Sequence, residues 1–543
     1  MKTKKKTKFS KVLAFCLAMV LALSMSVTAF AAISSSSTAD FTVTGFDTDK
    51  EVEVSAYKII DVNVDDASGQ PLNPMYTWTD EVAGWVSTNY SAYVDTNLGA
   101  NTVADAFEGV SADDLTKFLE EMSAAIKTGT ITITPVTVTS ANGSDSAAFT
   151  GMEMGEYLLT AKGGVKIYQP TTVQVVPVYN EDTQDWEIGN PVIGTESTMK
   201  SSAPGITKDV TEEDDNTVAI GDTVGYTLTV TVPSYPVNAT NTRFEVGDTL
   251  GAGLTFDGNG TIKVYSDADL QNEISAANYE ITNPGQTTPG EATFLVTFKD
   301  DFTTAYTGTT LYVTYTATVN ENAFGEDALG NDAFLGYDND PYTDSDYETT
   351  TEKDVYTYGI NLTKVDKEGN SLTGAEFTLT KDGEQTAMKF NGSNGAYTYD
   401  SQNGGTVEAL EVAADGTLAI QGLDVGTYIL KETKAPSDYV LPNGQITIVI
   451  ADADPDGVID GTAGNLVTAN GTIKLYVDED NNRVPTITDN VISFEVENTS
   501  SDDAGFQLPV TGGAGTMLFT VCGILLMGGA VAMVVVLARK KRA

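Results

Sequence analysis

Hydrophobic and polar residues alternate with a period of two through most of the chain. Thr130 to Val138, Val224 to Val232, Ala292 to Phe298, Thr310 to Val319 and Gln445 to Ile450 run through Val, Ile, Thr and Tyr in this way, which predicts β-strands. The 50 glycines, with many Asn and Asp, supply the turns between them. One segment departs from the pattern. Ser111 to Lys127 opens with Ser111-Ala112-Asp113-Asp114 and sets Leu115, Phe118, Leu119, Met122 and Ile126 on one face, which predicts a capped amphipathic helix. Polar segments near 200 and 354 precede two similar motifs, Gly205-Ile206-Thr207-Lys208 and Ile360-Asn361-Leu362-Thr363-Lys364. The expected fold is therefore mainly β: tandem Ig-like sandwiches spanning 32–199, 200–353 and 354–500, with one helix in the first.

The two ends break the period differently. Six lysines among the first eleven residues lead into the apolar run Val12 to Leu23 and then to Ala29-Phe30-Ala31, the layout of a cleaved signal peptide over residues 1–31. Met517 to Ala538 is uncharged over 22 residues and stops at Arg539-Lys540-Lys541-Arg542, the pattern of a membrane span with a cytoplasmic basic tail over 513–543.

Composition narrows the chemistry. The chain has 543 residues, 30 Lys and Arg against 76 Asp and Glu, and a net charge of −46. Ten of the basic residues lie at the extreme ends, so the body is still more acidic and repels phosphate, which argues against nucleic acid as a partner. Histidine is absent, so His-dependent triads and His-ligated zinc are excluded. Cys16 and Cys522 sit in the two apolar ends, which leaves the body between them without a disulfide. No cofactor is expected. Asp452, Asp454, Asp456 and Asp460, with Gly457, have the spacing of a calcium loop, but position twelve is Ala463 and no flanking helix is evident; a solvated acidic turn is the simpler reading.

Strand phase singles out a few polar residues. In Ile360-x-Leu362-x-Lys364, Tyr428-x-Leu430-x-Glu432 and Ile492-x-Phe494-x-Val496-x-Asn498, the period of two turns Lys364, Glu432 and Asn498 toward the apolar face. The middle segment repeats this in Ile206-x-Lys208-x-Val210, Phe244-x-Val246-x-Asp248 and Leu335-x-Tyr337-x-Asn339. Burying a lysine, an acid and an asparagine costs several kcal/mol unless they satisfy one another. Burial also lowers a lysine pKa and raises a carboxyl pKa, which would let a neutral amine attack the asparagine amide, expel ammonia and form a Lys-Asn isopeptide bond. An ordinary inward ion pair beside a satisfied asparagine fits the same periodicity, and the phase alone leaves both open.

Resemblance adds to these readings. Leu508-Pro509-Val510-Thr511-Gly512, between a polar linker (501–512 with the motif) and the apolar span, resembles the LPxTG sorting signal of Gram-positive surface proteins. That resemblance implies cleavage after Thr511 by a sortase and transfer of Thr511 to an amine of the cell wall or of another subunit. Tyr428-Ile429-Leu430-Lys431-Glu432-Thr433-Lys434-Ala435-Pro436-Ser437-Asp438-Tyr439 resembles the pilin E-box, YxLxETxAPxGY, with Asp438 where Gly is usual. It implies a Cna-B type domain with Glu432 as catalytic acid, Lys364 as nucleophile and Asn498 as acceptor. The middle segment is similar to the isopeptide-forming domain of fimbrial shaft subunits, which implies the same roles for Asp248, Lys208 and Asn339. The implied protein is a pilus subunit, most simply the shaft pilin, and the alternative is an unpolymerised wall-anchored adhesin. Implied partners are a pilus-polymerising sortase, a housekeeping sortase, identical subunits, minor pilins and peptidoglycan, with a host receptor as a further candidate. Shaft pilins usually carry a VYPK-like lysine. Here Val178-Tyr179 is followed by Asn180, and the next lysine, Lys200, is the expected linking amine, with Lys58, Lys162 and Lys166 as other candidates.

Overall fold

The computed structural model describes residues 33–502 except 183, 189–195, 211–215, 237, 289, 325–328, 344, 451–465, 470–485 and 489. The signal peptide, the LPVTG motif, the apolar C-terminal span and the Asp452 to Asp460 loop lie outside the described residues. Among the described residues no helix is long and apolar enough to cross a membrane, and no cluster of three or more potential metal ligands occurs. The chain divides into two compact units, one of residues up to 216 plus 223–355, the other of Thr217–Asp222 plus the chain from Tyr356. The Thr217–Asp222 segment thus packs within the later unit, although its position in the sequence is inside the expected middle domain.

The first unit holds two sets of sheets. In the N-terminal set, strands Gln70–Trp78, Glu53–Asp65, Gly155–Lys162 and Thr171–Val175 are neighbours in that order, and Val136–Thr139 also pairs with Glu53–Asp65. The central two strands are covered on both faces. Val54, Ala56, Tyr157 and Leu159 join a core with Phe41, Val43 and Phe149 of the neighbouring three-stranded sheet, whereas Tyr57, Ile59 and Leu158 join a second core with Trp78. Phe118 and Met122 of the helix Ala112–Lys127 fill that second core together with Val82 and Val86 of a second helix, Asp80–Asn89, so this region holds more than the one helix expected from the sequence. Ser111 caps this helix by accepting from Asp114 N at 3.1 Å, so its start lies where the sequence places it.

Thr130 to Val138 is a strand only from Val136. The preceding residues turn at Gly129 (φ 77°), the Ile131 N–H donates to Ala125 O, and the Ile131 side chain is buried against the helix. Pro135 lacks the N–H that a ladder would use, so the alternating pattern there reports helix packing followed by a short strand.

The second set comprises two five-stranded sheets. One orders Ile206–Val210, Thr223–Thr231, Thr310–Val319 and Leu254–Phe256, with Lys263–Tyr265 also pairing to Thr310–Val319. The other orders Tyr279–Thr282, Phe294–Phe298, Phe244–Leu250, Asn331–Asp338 and Asp346–Glu352. Thr310–Val319 shows strict alternation, with Leu311, Val313, Tyr315, Ala317 and Val319 buried.

In the later unit a six-stranded sheet runs Phe390–Ser393, Ala396–Tyr399, Thr417–Leu423, Tyr358–Val365, Val491–Glu497 and Thr486–Thr488. A five-stranded sheet runs Leu410–Glu411, Glu376–Lys381, Gly426–Lys434, Ile446–Ile450 and Leu466–Ala469. Ile360, Leu362, Phe377, Leu379, Leu430, Ile448 and Phe494 form the core between them. The first and last long strands are parallel neighbours, with Lys364 opposite Val496.

Candidate cross-linking sites

Inward phase places Lys364, Glu432 and Asn498 together in the later unit. Lys364 ends the run Ile360, Leu362, Lys364 and is fully buried; Glu432 follows Tyr428 and Leu430, and Asn498 follows Val496 just past the strand end. The Asn498 Nδ2 donates to Glu432 Oε1 at 2.7 Å, and Lys364 Nζ donates to the Val496 carbonyl at 2.8 Å. Burial lowers the Lys364 pKa to about 8, against the pull of the Glu432 charge. Burial raises that of Glu432, opposed by Lys364 and by the Asn498 hydrogen bond. Asp438, the departure from the E-box, has φ 67°. That backbone region favours glycine and tolerates Asp better than most side chains, so the turn survives the substitution.

The middle set is built differently. Lys208 and Asp248 are fully buried side chains in direct contact, Nζ to Oδ2 at 2.9 Å. Their strands lie in the two facing sheets, and Lys208 stands over the stacked rings of Tyr226 and Tyr315, 5.2 and 5.9 Å from their centroids. Burial lowers the Lys208 pKa, partly offset by Asp248, and pushes Asp248 up to about 6, partly offset by Lys208. Gly247, next to Asp248, is required for space: a Cβ there would lie 2.1 Å from the Phe334 ring.

The asparagine of this set is Asn331, not Asn339. Lys208 Nζ donates to the main-chain carbonyl of Asn331 at 2.9 Å, and the Asn331 side chain is fully buried, its Nδ2 donating to Tyr315 OH at 2.8 Å. Tyr315 OH in turn donates to Asp248 Oδ2 at 2.8 Å. Asn339 lies beyond the strand Asn331–Asp338, and its Nδ2 donates to the Gly164 carbonyl at 2.6 Å. Antiparallel pairing sets Asp248 opposite Ala333 and Phe244 opposite Tyr337, so Asn331 and Asn339 lie toward opposite ends of the strand, eight residues or ~27 Å apart if fully extended. Asn331, Ala333, Leu335 and Tyr337 share one phase; the period that pointed to Asn339 was sound, and the choice of strand end was not. Neither Asn331 nor Tyr315 was singled out from the sequence.

In both sets one oxygen of the acid and one of the asparagine, namely Asp248 Oδ1, Asn331 Oδ1, Glu432 Oε2 and Asn498 Oδ1, is buried with no hydrogen-bond partner among the described residues. Each such group costs about 1–3 kcal/mol.

Lys200 is exposed between the strand Glu196–Thr198 and Ser201–Ser202, and among the described residues no hydrogen bond or ion pair engages its ammonium. The alternatives are engaged: Lys58 with Asp61 and Glu153, Lys162 with Glu53, and Lys166 with the Gly45 and Phe46 carbonyls.

Comparison with known proteins matches residues 359–464 to a prealbumin-like fold domain and residues 500–543 to an LPXTG cell wall anchor motif. The trypsin-resistant surface T6 protein of Streptococcus pyogenes serotype M6 is 29% identical over 274 residues, which are 46% of this chain and 47% of that protein. The chain thus spans about half the length of this curated relative. The solved T6 backbone pilin of serotype M6 Streptococcus pyogenes superposes with a TM-score of 0.53 at 19% identity, covering 86% of this chain and 99% of that one. The full-length major pilin SpaD of Corynebacterium diphtheriae gives a TM-score of 0.46 at 18% identity, with coverage of 86% and 99%. The chain therefore carries a prealbumin-like domain and an LPXTG cell wall anchor motif, and its fold is similar to that of a streptococcal backbone pilin.

Proposed function

We propose that this protein is a structural, non-enzymatic shaft subunit of a covalently polymerised pilus on a Gram-positive cell, a substrate of sortases joined through Thr511. The observation that carries this reading is the wall-anchor motif at 500–543 on a chain with a backbone-pilin fold. Identical subunits, minor pilins and peptidoglycan are its partners, and Lys200, exposed and without a competing ion pair among the described residues, is the linking amine.

The modules are 32–199, 200–353 and 354–500, and two internal isopeptide bonds brace the last two: Lys208 to Asn331 and Lys364 to Asn498. In each, the lysine passes a proton to the buried acid, the neutral Nζ attacks the asparagine Cγ, and the C–N bond to Nδ2 breaks as that nitrogen leaves as ammonia. Geometry and burial support this. Asn498 already touches Glu432, and half a turn of its amide would set its carbonyl oxygen against the protonated acid, which polarises it for attack. Cross-linking early to late strands resists their separation under tension without cysteine.

The test is an immunoblot of wall extracts from the native host. A shaft subunit gives a ladder that survives boiling in detergent, and Thr511→Ala collapses it and leaves the chain in the membrane fraction. Lys200→Arg reduces the ladder to wall-bound monomer. A single wall-bound band in the wild type would favour the unpolymerised adhesin instead.

A further inference from the structure

We propose that Tyr315 is a proton relay in the middle cross-linking reaction, carrying the proton of Asp248 to the departing nitrogen of Asn331. The inference rests on the cross-link reading of that set. Tyr315 OH is the group that joins acid to amide: it donates to Asp248 Oδ2 and accepts from Asn331 Nδ2, both at 2.8 Å. The Asp248 Oδ2 it touches is also the oxygen that receives the Lys208 amine, at 2.9 Å.

Lys208 gives one proton to Asp248, and its neutral Nζ bonds to Asn331 Cγ, sending the carbonyl electron pair onto Oδ1. The nitrogen Nδ2 now has a basic lone pair. Tyr315 gives it the hydroxyl proton and takes the Asp248 proton in the same movement, so the two hydrogen bonds reverse direction and the phenol is restored. Asp248 then accepts the second Nζ proton, the oxyanion collapses, the Cγ–Nδ2 bond breaks, and ammonia leaves; Asp248 ends as the neutral acid. Burial keeps the Tyr315 phenol well above its ordinary pKa, so it holds its proton until the nitrogen demands it. Stacking on Tyr226, with centroids 5.2 Å apart, fixes the ring. In the C-terminal set acid and asparagine are in direct contact, so that reaction serves as a control within the same molecule.

The experiment follows ammonia loss by intact mass after pulsed cell-free synthesis of the full chain. Wild type loses two ammonias. Tyr315→Phe should lose the C-terminal one on time and the middle one about a hundredfold more slowly or worse, the usual scale of a lost acid-base group. Material that eventually cross-links should melt close to wild type, because the ring and its stacking remain. Two losses at wild-type rate in Tyr315→Phe would overturn the relay. Absence of the middle loss in the wild type would instead overturn the cross-link reading, and the relay with it. A reading that needs no variant is the rate in deuterium oxide: the middle reaction should slow more than the C-terminal one, since two protons move in its relay, and equal slowing would overturn the proposal.

Discussion

The two buried sets contain the same three kinds of group, wired in different order. In the middle set lysine meets acid directly and the acid reaches the asparagine side chain through a tyrosine; in the C-terminal set acid meets asparagine directly; in both, the lysine also donates to a backbone carbonyl. The acid is Asp in the middle set and Glu in the C-terminal one, and in the middle set the Tyr315 hydroxyl bridges acid and asparagine through two hydrogen bonds of 2.8 Å. What the sets share is placement of the three groups on three strands with their apolar phase turned inward. What they do not share is the contact that prepares the amine. Asp248 holds Lys208 in an ion pair, whereas Lys364 has no such contact among the described residues, and burial lowers its pKa to about 8.

Removing the acids is the bluntest way to break the comparison. The wild-type body should weigh two ammonias less than its sequence, and Asp248→Ala and Glu432→Ala should each restore one. Each restored chain should melt lower, because a closed loop of more than a hundred residues is worth about 4–5 kcal/mol in the chain-entropy estimate. An unmodified mass for the folded wild type would leave both sets as ordinary buried polar clusters.

The asparagine pair sharpens the middle set. Asn331→Ala should restore the middle ammonia, while Asn339→Ala should leave the mass deficit intact and cost about 1 kcal/mol for its bond to Gly164. The reverse outcome would return the acceptor to Asn339.

This pair also shows what was legible in the sequence. Alternation located Thr310–Val319 to the residue, and the apolar stripe with its Ser111 cap located the helix. Lys364, Glu432 and Asn498 were readable as inward residues because each lies at the end of an unambiguous inward run, and all three are buried. Asn331 and Asn339 both share the phase of Leu335 and Tyr337, so periodicity could not choose; only the pairing of Asp248 with Ala333 does. Tyr315 was hidden for a related reason. It occupies an ordinary buried slot between Val313 and Ala317, and nothing along the chain says that its hydroxyl meets an acid from the facing sheet.

Exchanging acid length tests whether the direct contact matters in the C-terminal set. Glu432→Asp withdraws the carboxyl by one methylene and removes the 2.7 Å contact with Asn498, and no tyrosine bridges the gap among the described hydrogen bonds. The C-terminal ammonia loss should slow by about tenfold to a hundredfold while the middle one keeps its rate. Equal rates in the variant and wild type would mean that either acid serves at any reach.

The smallest expected effect is a pH dependence that appears only when the C-terminal set is left open. In Asn498→Ala the Lys364 amine remains free. Its pKa is about 8 in the folded chain and about 10.5 once unfolded, so between those values the unfolded state binds more protons. Stability therefore rises with pH across that window, and below about pH 8 the full penalty of the buried ammonium applies. Glu432 works in the other direction at acid pH: its raised value makes the folded state the better proton binder, and its contribution is lost as pH rises through the folded value. On the proposed cross-link, Lys364 of the wild type is an amide nitrogen that does not titrate, so the alkaline rise should vanish there. Subtracting the melting profile of Lys364→Met/Asn498→Ala from that of Asn498→Ala removes the tyrosines and other groups common to both. A rising difference above about pH 8 supports a buried, displaced lysine pKa, and a flat difference would mean that Lys364 reaches solvent when it is not bonded to Asn498.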